Sequence, residues 1–119
     1  MKLIRTEEFI HTKNPNPGKR FMQDILPRDK APESMGGIFG LIEPGQGPYH
    51  FHNTRHSLIM AISGEATEII EGKEVLLKPY DLLHIPPGEK HMMVNKSNTA
   101  FRYLEFYTIP SIDDFVEVK

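Results

Sequence analysis

GPYHFHNTRHSLIMAISGE, residues 47–65, holds three of the chain's six histidines, at His50, His52 and His56, and runs from them into an apolar segment ending at Gly64. Alternate side chains of a β-strand share a face, so His50 and His52 present two imidazoles to one point. Neutral imidazole is a common ligand for divalent metals, and a pair held on a stiff strand loses little entropy on coordination. From His56 onward the even positions Leu58, Met60 and Ile62 are large and apolar, whereas the odd ones are Ser57, Ile59, Ala61 and Ser63. The even set reads as the interior face, which turns His56 inward and Ser57 outward.

Further along, IFGLIE, HSLIMAIS, GEATEIIEGKEVLLKPYD, LLHIPPGEKHMMV and FRYLEFYTI are short apolar segments bounded by turn residues, the pattern of an all-β sandwich or barrel. No helical stripe longer than about three turns stands among them. Glu68 to Leu77 reads as a hairpin reversing at Gly72, where a positive φ is free. IPPGEKHMMVN, residues 85–95, turns at the Pro86-Pro87-Gly88 corner and delivers His91 to another strand. Upstream, NPNPGK (14–19) and PRDKAPESMGG (27–37) read as loops flanking a short strand, FMQDIL (21–26). The tail after Pro110 is expected either as a helical turn, with Ser111 three residues before Asp114, or as a final edge strand.

A chain of 119 residues fits one domain with a real core. The division expected is an N-terminal arm and loop (1–37), a barrel carrying the histidine motifs (38–109) and a C-terminal tail (110–119). A formal charge of −2, with lysines and arginines scattered, gives no footprint for nucleic acid. The opening MKLIRTEEFIHTK has no long apolar run, so neither a secretory leader nor a membrane span is expected, and the cytoplasm is the default location. Without cysteine, any metal chemistry falls to histidine and carboxylate. Leu3, Ile4, Phe9, Ile10, Phe21, Ile25 and Leu26 are more apolar surface than a solvated arm should expose, which leads to the expectation of a homodimer.

In these residues the sequence resembles the cupins, small β-barrels that hold a metal in the barrel mouth between two short motifs. The first motif is met by Gly45 or Gly47, His50, His52 and Gly64; the second by Pro86, Gly88, His91 and Asn95, with Tyr80 standing where a glycine is usual. The resemblance implies a jelly-roll barrel, the double-stranded β-helix, with one divalent ion such as iron, zinc, manganese or nickel on His50, His52 and His91. The family's usual metal-binding glutamate is missing. Residue parity puts His56 in its place, giving a four-histidine set; a shift of one residue would put Ser57 there. An all-imidazole set leaves the ion's charge uncompensated, which favours an anionic ligand. Glycines 45, 47, 64 and 88, the proline pair and Asn95 read as backbone devices that aim the ligands. Met60, Met92, Met93, Phe39, Phe51, Phe101, Tyr103 and Phe106 read as core.

On the last strand Arg102, Leu104 and Phe106 share one face and Phe101, Tyr103, Glu105 and Tyr107 the other, and sequence does not orient it. If the odd face is inward, Glu105 and Tyr103 become acid–base candidates, and His84 is a further candidate lining the cavity. The function expected is a dioxygenase-like metalloenzyme acting on a small organic acid or diketone; the alternative is a small-ligand-binding or sensing module without catalysis.

Overall fold

The computed structural model describes residues 1–26, 34–108 and 114–119. In chain order they form α1 (Thr6–Ile10), β1 (Phe21–Asp24), β2 (Met35–Ile42), β3 (Gly45–Gln46), β4 (His50–Phe51), β5 (Ser57–Ser63), β6 (Ala66–Ile70), β7 (Lys73–Leu77), β8 (Leu82–Ile85), β9 (His91–Asn95), β10 (Phe101–Thr108) and β11 (Val116–Glu117). One sheet runs β1-β2-β10-β5-β8 and the other β11-β4-β9-β6-β7, with β3 also paired to β9. Every pairing among the described residues is antiparallel. This is the all-β, double-stranded β-helix barrel expected from the short apolar segments. No helix of the described residues is long and apolar enough to cross a membrane.

Two clusters hold the barrel. Between the sheets lie Ile38, Ile59, Ala61, Ala66, Leu77, Ile85, Phe101, Tyr103 and Tyr107. On the outer face of the five-stranded sheet lie Phe9, Ile25, Phe39, Leu41 and Ile62, with Met60 and Leu104 against them. The second cluster overturns the parity read for β5. Ile59 and Ala61 face the interior, Ser57 is buried at 2% exposure, and Leu58 is 44% exposed. The even residues are apolar because the N-terminal segment covers their face, so this strand is buried on both sides for much of its length and alternation alone misorients it. Phe9 stacks on Phe39 at 4.8 Å, and burying such a ring contributes about 2–3 kcal/mol. Ile4, Phe9, Ile10, Phe21, Ile25 and Leu26 therefore pack on their own chain, and of the apolar N-terminal set Leu3 stays exposed.

The odd face of β10 is inward, and its glycine partners across the sheet make room for it. Gly40 lies opposite Tyr103, and a Cβ there would stand 2.1 Å from the tyrosine ring. The expected hairpin is β6–β7, reversing through Glu71 and Gly72 at φ 50 and 85. The loop read over residues 27–37 ends sooner, since β2 already begins at Met35; residues 27–33 lie outside the described ones. Phe106, read as core, is 36% exposed on the outer face. Of the two forms expected for the tail, the structure has the edge strand, β11 against β4, while Ser111 lies outside the described residues.

Candidate metal centre and its cavity

His50 on β4 and His91 on β9 are directly opposed across the sheet. His52 follows two residues after His50, and a ligand nitrogen from each of the three comes within 4.8 Å of the others. Local chain geometry sets each ring. Pro48 and Glu89 stand two residues before His50 and His91, and their carbonyls accept from the Nδ1 atoms at 2.9 and 2.8 Å. His52 Nδ1 donates to the carbonyl of Asp114. A carbonyl partner fixes the N–H on Nδ1 and leaves each Nε2 with a free lone pair, the arrangement of metal-binding imidazoles. Burial, joined by the neighbouring rings and by Arg20, pushes His50 down to about 4 against the pull of the Pro48 carbonyl. Burial likewise lowers His91. Three imidazole nitrogens gathered at one point fit a zinc- or iron-like divalent ion.

His56 is not brought to this group. Its ring is exposed and stacks on that of His84, with Nδ1 3.0 Å from His84 Nε2. His84 likewise sits on the exposed face of β8 and does not line the cavity. The reason is the β5 parity above: position 57, not 56, faces inward, and it carries a serine. No carboxylate therefore stands at the position where the resemblance leads one to expect a metal-binding glutamate.

The three histidines open into a cavity of about 700 Å³. Glu105 and Tyr103, the candidates contingent on an inward odd face, line it. Glu105 Oε2 accepts from Arg55 Nη2 at 2.6 Å, with both side chains largely buried. Arg55 also packs 4.1 Å above the Tyr107 ring. Arg20, exposed as a whole residue, lines the cavity and donates from Nη2 to the Tyr103 hydroxyl. Burial raises the phenol above its usual range against the pull of Arg20, with Glu105 and Glu68 adding to it, so Tyr103 stays neutral. Glu68 on β6 is 1% exposed; burial first and Glu105 second push its carboxyl up to about 8, with Arg20 opposing.

Sequence reasoning missed Arg20, Arg55, Glu68 and Phe115. Arg55 lies inside the histidine stretch itself. Glu68 alternates with Ala66 on β6, which pairs with the buried Leu77, and that pairing was a usable signal. Phe115 stacks on His50 at 4.5 Å and had none, because only the folded tail brings it there. Asn95 behaves as the backbone device expected. Its Nδ2 donates to the carbonyls of Ile42 and Thr99, and its Oδ1 accepts from Ser97.

Residues 39–107 match the family model for the cupin domain. A comparison with curated proteins finds no match. Among solved structures, a double-stranded β-helix protein from Klebsiella pneumoniae superposes with a TM-score of 0.79 at 19% identity, covering 100% of this chain and 98% of that one. A Thermus thermophilus protein gives 0.77 at 21% identity, covering 92% and 98%. The polyketide cyclase RemF from Streptomyces resistomycificus gives 0.78 at 19% identity, covering 100% and 86%.

Proposed function

From a chain that belongs to the cupin family, we propose a metal-dependent enzyme that binds a small anionic, enolisable molecule in its barrel and moves a proton on it. One observation carries this reading. Three imidazoles with their Nδ1 atoms tied back by carbonyls open into the same cavity as a buried carboxylate–guanidinium pair, Glu105 and Arg55.

His50, His52 and His91 would hold the ion. When bound, it supplies Lewis-acid polarisation of a carbonyl or carboxylate oxygen. Arg55 and Arg20 give the cavity fixed positive charge for an incoming acid, and Arg55 holds the Glu105 carboxylate in one orientation. A carboxylate so oriented in a partly dry site accepts a proton from a carbon next to a polarised carbonyl. Ile59, Met93 and Phe115 wall the same cavity and keep bulk water from the reacting carbon. Charged groups inside the barrel favour catalysis over simple capture, for which a sealed apolar pocket would be enough.

Exchange of the α-protons of small keto acids in heavy water, followed by NMR, tests the reading. Exchange is expected to require added divalent metal and to drop sharply in Glu105→Gln; equal exchange with and without chelator contradicts it. The dioxygenase reading is favoured by a histidine group that includes no carboxylate. Oxygen uptake by the iron-loaded protein in the same keto-acid screen, without proton exchange, would select it instead.

A further inference from the structure

One group in the cavity is used neither by the metal centre nor by the Arg55–Glu105 pair. Glu68 lines the cavity, is 1% exposed, and its Oε2 has no hydrogen-bond partner among the described residues. A buried polar atom left unpaired is costly, and native structures rarely keep one without a use. The cations nearby are already engaged. Arg55 is paired with Glu105, and Arg20 donates to Tyr103. At neutral pH the Glu68 carboxyl is protonated, so it offers the cavity one O–H donor beside the partly committed donors of Arg20.

The charges point to the missing partner. With a divalent ion on uncharged imidazoles, the guanidinium groups of Arg20 and Arg55 stand against the carboxylates of Glu105, Asp24 and Glu43, so the loaded cavity keeps a net positive charge. Asp24 is exposed, where screening weakens it, while Glu43 is half-buried and accepts from Asn14 Nδ2 at 3.4 Å. A cavity of about 700 Å³ has room for a molecule longer than a two-carbon acid.

We propose that Glu68, Arg20 and Tyr103 form a second recognition point for an anionic oxygen group, so that the fitting ligand is a small diacid, one end at the histidines and the other at this point. The inference rests on the reading above that the histidines hold a metal and the cavity takes a small acid. Glu68 donates to an oxygen of the far carboxylate, Arg20 supplies the countercharge, and Tyr103 holds Arg20 in place.

Calorimetric titration of the zinc-loaded protein with succinate and with butyrate, which has the same chain length and one acid group, tests this. Succinate should bind at least about tenfold more tightly, the effect of one well-placed charge-assisted hydrogen bond. Glu68→Met should reduce that preference about tenfold, while Glu68→Gln, which keeps an N–H donor, should retain most of it. Equal zinc-dependent binding of the two acids by the parent overturns the second recognition point and leaves the metal reading standing. Binding that ignores zinc overturns the reading beneath it and the inference with it. Infrared spectra give a readout independent of affinity and of whether Glu68→Met folds. A protonated-carboxyl band absent from Glu68→Gln should shift when succinate binds the parent, and a band that does not move contradicts the proposal.

Discussion

His52 and Asp114 stand 62 residues apart in sequence, and the backbone carbonyl of Asp114 accepts from His52 Nδ1. The Asp114 carboxylate accepts in turn from the backbone N–H groups of Asn53, Thr54 and Arg55 and from the Thr54 hydroxyl, at 2.6 to 3.0 Å. The C-terminal tail thus clasps the loop that leaves the histidine pair, and it sets Phe115 against His50. Asp114→Ala keeps the carbonyl but frees the tail that carries it. Metal affinity, measured by competition with a chelating dye, should fall about tenfold, as when an orienting partner of a metal-bound histidine is removed. Unchanged affinity would show that the tail plays no part in aiming His52.

Tyr80 occupies the place where the cupin motif usually has glycine, and it has φ 77. Its side chain is 81% exposed, so little packing offsets the left-handed strain of a residue with a Cβ. Tyr80→Gly should stabilise the protein by about 1 kcal/mol, the left-handed penalty less the extra freedom glycine has when unfolded. Urea denaturation measures it, and a loss of stability would show that the tyrosine ring makes a contact of its own.

Arg55 and Glu105 form a largely buried pair. Removing one partner strands the other, so Arg55→Met should cost about 3–5 kcal/mol. Arg55→Met combined with Glu105→Met should recover most of that loss while abolishing proton exchange. A double variant as unstable as the single one would place the cost in the lost packing on Tyr107 rather than in the stranded carboxylate.

Glu68 makes stability depend on pH. Its carboxyl is pushed up to about 8, with Glu105 adding to burial, Arg20 opposing it and neutral Tyr103 close by, whereas the unfolded chain ionises near 4.5. Between those values the unfolded state has given up a proton that the folded state keeps. The contribution of Glu68 is therefore most favourable below about 4.5 and declines as pH rises to about 8. Glu68→Gln cannot ionise. Its stability relative to the parent should grow across that window by up to roughly 5 kcal/mol, less as water enters the cavity, and level off above it. Denaturation at about pH 5 and about pH 8.5 in the presence of chelator measures the difference, and a gap that does not change with pH contradicts it.

The two motifs are legible because their spacing is local. A two-residue step that starts on β4 at His50 and a glycine corner before β9 bring His50, His52 and His91 to one point. The hairpin at Gly72 was readable for a similarly local reason. The orientation of β5 was not. Met60 and Ile62 are apolar for the sake of an outer cluster built from Phe9, Phe39 and Leu41, and a strand covered on both faces has no alternation to read. Arg20 and Phe115 come from segments with little strand pattern, and only tertiary folding carries them to the cavity.

Three histidines, and not four, are expected to hold the metal. An anomalous difference map from crystals grown with zinc measures it most directly. One strong peak per chain is expected about 2.0–2.2 Å from the Nε2 atoms of His50, His52 and His91, with His56 left on His84. A peak held by His56, or none among the three rings, would contradict it.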